Sequence, residues 1–232
     1  MDIKHYLGIV KEETKAAFSN NKLLLLLSVL LFVIPLLFGY FYADTVGEYI
    51  QPMVDQFEKQ VEEGTITLTT HSLFTNNVTV AIILYALSAL GGLLGAVVLA
   101  NNGLFIGYYG AAFNIYAYLA LTVPHGIFEI PAIIIATTGG FVLLSFAIHF
   151  IYNLIYPDYS YLDIFDPYFS DVKISAKERV SAAFKKNQNK LKESFIFLCL
   201  AVILLIIAAF IEANITVPLA GKLLPFFGLS MG

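Results

Sequence analysis

The chain has 232 residues and a formal net charge of −4 at pH 7; hydrophobic residues make up 59% and charged residues only 13%, against roughly 45–50% and about 25% in soluble globular domains. So few charges do not cover a water-soluble surface, and no net basic field exists to attract nucleic acid. The single cysteine, Cys199, lies in an apolar run and excludes an intrachain disulfide or a cysteine-based metal cluster.

Apolar runs of about 20 residues, the length that crosses a ~30 Å hydrocarbon core, predict an all-α polytopic integral membrane protein with five transmembrane helices in a single domain. In chain order, residues 1–22 read as an amphipathic helix on the membrane surface, with Ile3, Leu7, Val10, Ala17 and Phe18 opposite lysines and glutamates. The first span covers about 23–42, carries Pro35 and ends in the aromatic belt Phe38-Gly39-Tyr40-Phe41-Tyr42. This exit and the long preceding segment mark an uncleaved anchor rather than a signal peptide. An acidic loop over 43–77 follows, with a short helix expected near Glu48 to Glu63. The second and third spans are expected at about 78–100 and 104–123, joined by a tight turn at Asn101-Asn102-Gly103, since Asn and Gly tolerate positive φ. Ser88, Gly92, Ala96 and Ala100 form a small-residue stripe on the second span, and Gly103, Gly107 and Ala111 form one on the third. Such stripes permit close helix approach and would also allow a homodimer. The fourth span is expected at about 131–155, a loop at 156–194, and the fifth span at 195–213.

Basic residues set the orientation, because cytoplasmic loops near span ends are enriched in Lys and Arg. A cytoplasmic N-terminus puts every basic residue but Lys59 and Lys222 inside, while the 43–77 loop carries Asp44, Glu48, Asp55, Glu58, Glu62 and Glu63 outside. The expected arrangement is N-in/C-out. A second amphipathic segment, with Val180, Ala183, Phe184 and Leu191, precedes the fifth span. It aligns with the first at an offset that matches Ala16-Ala17-Phe18 to Ala182-Ala183-Phe184 and Asn21 to Asn187. A parallel repeat and two similar solutions to one interfacial problem are both open readings. The loop stretch Tyr156 to Val172 alternates aromatics with aspartates and does not fit a calcium loop.

Polar groups at membrane depth cost several kcal/mol unless partnered and are therefore candidates for function. They are Asn101, Asn102, Asn114, His125, Glu129, His149, Asn153, Glu212 and Asn214. The densest cluster is Pro124-His125-Gly126-Ile127-Phe128-Glu129-Ile130-Pro131-Ala132. His125 and Glu129 are spaced i,i+4 on one helical face, and Pro131 withholds a donor from the Ile127 carbonyl and predicts a kink. A polar site of His125, Glu129, Glu212 and Asn114 in the outer half of the bundle is expected. The competing reading is an interhelical lock that holds helix ends without a ligand. No metal or cofactor is expected.

The Asn101–Gly107 segment, Pro124–Ala132, Gly139-Gly140, and Ile211-Glu212 followed by Thr216-Val217-Pro218 together resemble the stage II sporulation protein M family, from Phe74 to Pro218. The resemblance implies a multi-pass cell-membrane protein with partners in the cell envelope. In spore formers the family member is a membrane component, not the hydrolase, of a three-protein complex that degrades peptidoglycan. It implies no sporulation role here. Three functions compete: a non-catalytic scaffold or subunit of an envelope complex, a permease or channel-like subunit, and an intramembrane metallohydrolase. The last is disfavoured, because His125 and His149 fall at opposite ends of the bundle and no His-Glu-x-x-His sequence or paired-glutamate element is present. A non-enzymatic role is expected, with the lipid bilayer and envelope proteins as partners.

Overall fold

A computed structural model describes residues 3–64, 69–112, 114–157 and 175–227, all in helices and short connections. The helices are α1 (Ile3–Asn20), α2 (Lys22–Phe41), α3 (Ala43–Glu62), α4 (Thr70–Gly91), α5 (Leu93–Ala112), α6 (Ile115–Ile155) and α7 (Ala176–Ile211). A π-helical turn (Glu212–Thr216), α8 (Val217–Leu223) and a 3-10 turn (Leu224–Phe227) follow. Five helical runs are long and apolar enough to cross a membrane: α2, α4, α5, α6 and the run that begins with α7. The aromatic and aspartate stretch of the 156–194 loop lies almost wholly outside the described residues, as do 65–68.

The first span and the ends of the fourth and fifth fall within two residues of the expected bounds, whereas α4 and α5 are shifted toward the N-terminus relative to the expected second and third spans, and α6 and α7 begin well before their expected spans. The turn expected at Asn101–Gly103 is not there: α5 runs through all three residues, and the chain reverses at Gly92. Asn102 instead donates its side-chain amide to the Val98 carbonyl (2.9 Å), which satisfies the group inside a helix. The stripe Ser88–Gly92–Ala96–Ala100 is accordingly split between two helices that fold against each other, and a Cβ on Gly95 would run into Ser88. The interruption expected around Pro124–Pro131 is also absent. α6 is continuous for 41 residues through both prolines, as spans tolerate when neighbouring groups satisfy the freed carbonyls. Its true start is Asn114, whose side-chain oxygen accepts from the amides of Tyr116 (3.0 Å) and Ala117 (3.4 Å). The second amphipathic segment is not a separate helix, because it continues into the last span within α7.

Contacts at small residues define how the helices run. A Cβ on Gly103 would meet the Phe32 carbonyl, one on Gly107 the Leu36 carbonyl, and one on Gly39 the Leu104 carbonyl. α2 and α5 therefore lie side by side in the same direction at backbone contact. In a bilayer the apolar side chains gain little by leaving lipid, so close packing of this kind carries much of the association. Gly140 meets Tyr85 and Gly139 meets Ser194 and Phe197, which makes α4 and α6 parallel and α6 and α7 antiparallel. Tyr85 and Ser194 hydroxyls lie 2.7 Å apart, and Ser194 donates to the Gly139 carbonyl at 2.7 Å. The core consists of Phe32, Leu84, Leu99, Ile133 and Ile134, continued by Ala81, Ala132, Ala136, Ala201 and Leu205.

α3 is the helix expected in the acidic loop. Val46, Ile50 and Val54 fall at i,i+4 spacing and are buried against Leu104, Phe105, Tyr108 and Tyr109 of α5. It braces the end of the bundle where α2 and α5 finish and α4 and α6 begin. α1 packs at the opposite end, on α7.

Candidate functional site

At the α3-braced end, a cavity of about 330 Å³ opens between α4, α5, α6 and the π turn. Polar groups on its wall are Asn76 and Asn77 from α4, Asn102 and Tyr109 from α5, and Tyr118 and Thr122 from α6. His125, Glu129 and Glu212 line it too, and the rest of its wall is apolar. The size is at the lower end of small-ligand sites, and so is the pattern of a few convergent polar groups on an apolar lining.

His125 and Glu129 sit one turn apart on α6, as the spacing requires, with His125 Nε2 3.7 Å from a Glu129 carboxylate oxygen. Glu212 reaches them from the end of α7, where its backbone is still α-helical and its amide bonds the Ala208 and Ala209 carbonyls. The wider π turn that follows rotates the later residues relative to a regular α-helix and so re-aims Thr216. One donor atom each from His125, Glu129 and Glu212 lies within 4.8 Å of the others. Thr216 Oγ1 stands 3.4 Å from His125 Nδ1 and 3.4 Å from the Ile211 carbonyl oxygen.

Three of the sequence candidates thus meet in space, and the fourth does not. Asn114 is the cap of α6 and is not part of the chamber wall; the eleven-residue separation places it about 16 Å along the helix from His125. Asn101 accepts from the Tyr49 hydroxyl at 3.3 Å, and Asn102 faces the chamber from mid-helix rather than from a turn. Gly103 and Gly107 seat α5 against α2 and so fix one wall. His149 and Asn153 lie roughly 36 Å and 42 Å farther along α6 than His125; His149 Nδ1 is 2.7 Å from the Ser145 carbonyl oxygen and Asn153 donates to the His149 carbonyl. Asn214 bonds the Phe210 carbonyl and Thr70. Sequence reasoning passed over Asn76, Tyr109, Tyr118, Thr122 and Thr216. A signal was present for the first: Asn76 and Asn77 are adjacent amides entering an apolar run, costly unless they face a polar space.

A second polar cluster lies at the other end. Glu193 of α7 is buried, and its two carboxylate oxygens accept from Asn20 (2.6 Å) and Asn21 (2.8 Å). Lys192 pairs with Glu13 at 2.7 Å. Asn21 also donates to the Ala17 carbonyl (2.9 Å) and Asn187 to the Ala183 carbonyl (2.8 Å), so the two amphipathic segments matched in sequence use the same amide in the same way.

The sequence profile of stage II sporulation protein M matches residues 28–217. The chain belongs to the stage II sporulation protein M family. The matched region holds every residue of the chamber and leaves out α1. The chain is also similar to uncharacterized protein MJ0706 of Methanocaldococcus jannaschii, 29% identical over 229 residues, which cover 95% of this chain and 93% of the relative. No solved structure matches.

Proposed function

We propose that the chain is a non-catalytic subunit of a cell-envelope complex, with its N-terminus cytoplasmic and its C-terminus outside, and that the chamber at His125, Glu129 and Glu212 is its working part. The chamber itself is the observation that carries this reading. Its wall offers amides, phenols, an imidazole and carboxylates suited to holding a ligand, and among the described residues no serine, cysteine or lysine lines it. The orientation is supported by the basic residues: Lys4, Lys11, Lys15 and Lys22 near α1, and Lys177, Arg179, Lys185, Lys186, Lys190 and Lys192 on the first half of α7. Family membership supports a membrane component that works with envelope proteins.

α6 and α7, at roughly 60 Å and 54 Å by their lengths, exceed the hydrocarbon core and extend beyond it. Tyr6, Leu7, Ile9 and Val10 on the first half of α1 are exposed and suit the lipid interface. The test is crosslinking and mass spectrometry from native membranes. The expected result is a stable envelope partner in the wild type whose crosslinks fall in His125→Ala/Glu129→Ala at normal expression. A chain recovered alone at full yield contradicts it.

A permease subunit is the second reading, favoured by a polar chamber between helices at membrane depth. It requires solute passage by the purified protein in liposomes, alone or with the partner the crosslinking identifies.

A further inference from the structure

We infer that His125, Glu129 and Glu212 form a three-ligand site for a divalent transition-metal ion of the zinc class, with its open coordination position facing the chamber. The inference rests on the chamber being the working part of the protein, and it reverses the expectation from sequence that no metal binds.

The donor set comes first. One imidazole nitrogen and two carboxylates suit zinc and its neighbours, whereas calcium and magnesium favour all-oxygen shells of six or more ligands. Three protein ligands with a vacant fourth position is the arrangement of an open zinc site. Around a tetrahedral ion at ~2.0–2.1 Å, ligand atoms stand about 3.4 Å apart. His125 Nε2 and Glu129 already stand at 3.7 Å, and all three donors lie within 4.8 Å. Rotation of two glutamate side chains closes the remainder.

Second, the imidazole is oriented for it. Thr216 Oγ1 stands 3.4 Å from both His125 Nδ1 and the Ile211 carbonyl oxygen, and with its proton toward that carbonyl its oxygen can accept from Nδ1–H. That arrangement puts the Nε2 lone pair toward Glu129. A lone pair facing a carboxylate is repulsive unless a metal cation or a shared proton stands between them, and a polar partner on the far nitrogen is how metal-binding histidines are fixed. Third, among the described residues no Lys or Arg lines the chamber, so none of their ammonium or guanidinium groups balances the two carboxyls, at a depth where uncompensated charge is costly.

The experiment uses untagged full-length protein in mild detergent, stripped with chelator and reloaded with Co²⁺ or Zn²⁺. The expected result is one ion per chain by elemental analysis, with the visible absorption of a low-coordinate Co²⁺ site. His125→Ala and Glu212→Gln should each weaken binding at least tenfold. Thr216→Val should weaken it about tenfold or more, and His149→Ala should leave it unchanged. X-ray absorption on the zinc-loaded wild type needs no variant; it should show a single imidazole nitrogen among oxygen neighbours at about 2.0–2.1 Å. A wild type that takes up no metal, a shell of several imidazoles, or binding that survives His125→Ala overturns the metal site. If envelope crosslinks still depend on His125 and Glu129 in a wild type that takes up no metal, the metal site falls and the chamber reading stands. If metal binds and no partner or solute is found, the reverse holds.

Discussion

The two polar clusters at opposite ends of the bundle are built from the same kinds of side chain and satisfied in opposite ways. At the α1 end, each oxygen of the buried Glu193 receives an amide from Asn20 or Asn21, and the cluster is complete in itself. At the α3 end, Glu129 and Glu212 converge with His125 on an open cavity with no lysine or arginine beside them among the described residues. A finished hydrogen-bond set is what a structural joint needs, since a half-satisfied buried network is worse than none. An unfinished one directed into a cavity is what a binding site needs. The lesson is that polar content at membrane depth does not itself mark function; completeness of its partners does.

Substitutions can break or sharpen this contrast. The largest effect is expected from Gly103→Val, whose new side chain meets the Phe32 backbone carbonyl. Overpacking of this kind costs about 1–3 kcal/mol and sometimes more, and it moves the α5 wall. Thermal unfolding in detergent should shift down, and metal binding should fall with it, while proteolysis of α1 stays slow.

Glu193→Ala comes next. It removes the acceptor of two amides, of which Asn21 keeps its bond to the Ala17 carbonyl and Asn20 is exposed, at about 0.5–1.5 kcal/mol for each hydrogen bond lost. The expected outcome is a lower unfolding temperature and faster proteolysis between α1 and α2, with metal binding retained. Asn114→Ala removes only the cap of α6, about 1 kcal/mol, and should leave metal affinity unchanged; a lost metal site would return Asn114 to the chamber. Lys192→Ala should register least, since an exposed pair such as Lys192–Glu13 contributes about 0.2–1 kcal/mol.

Much of the fold was legible because hydrocarbon thickness imposes span length, and five apolar runs cannot be hidden. The bounds of the second and third and the starts of the fourth and fifth were not. Proline and Asn-Gly pairs mark turns in water, but in a span Pro124 and Pro131 stay helical and Asn102 bonds its own Val98 carbonyl. The real breaks, at Gly92 and Asn114, lie inside apolar stretches where composition does not change. In the chamber, His125 and Glu129 were legible because i,i+4 spacing makes them neighbours on any helix. That Glu212 joins them depends on how α7 packs antiparallel to α6, which no local spacing announces. The lining from Asn76 and Tyr118 depends on how α4 and α6 lie together. Glu193 was missed because its partners lie on α1, far away in the chain.

The measurement that tests the contrast most directly is thermal unfolding, in one detergent with chelator present, of Glu193→Ala beside Glu129→Gln/Glu212→Gln. The account predicts that the first unfolds at a lower temperature than wild type and that the second unfolds at the same temperature or higher, because no internal partner is lost. A double-glutamine variant destabilised as much as Glu193→Ala would contradict it and make the chamber cluster an interhelical lock.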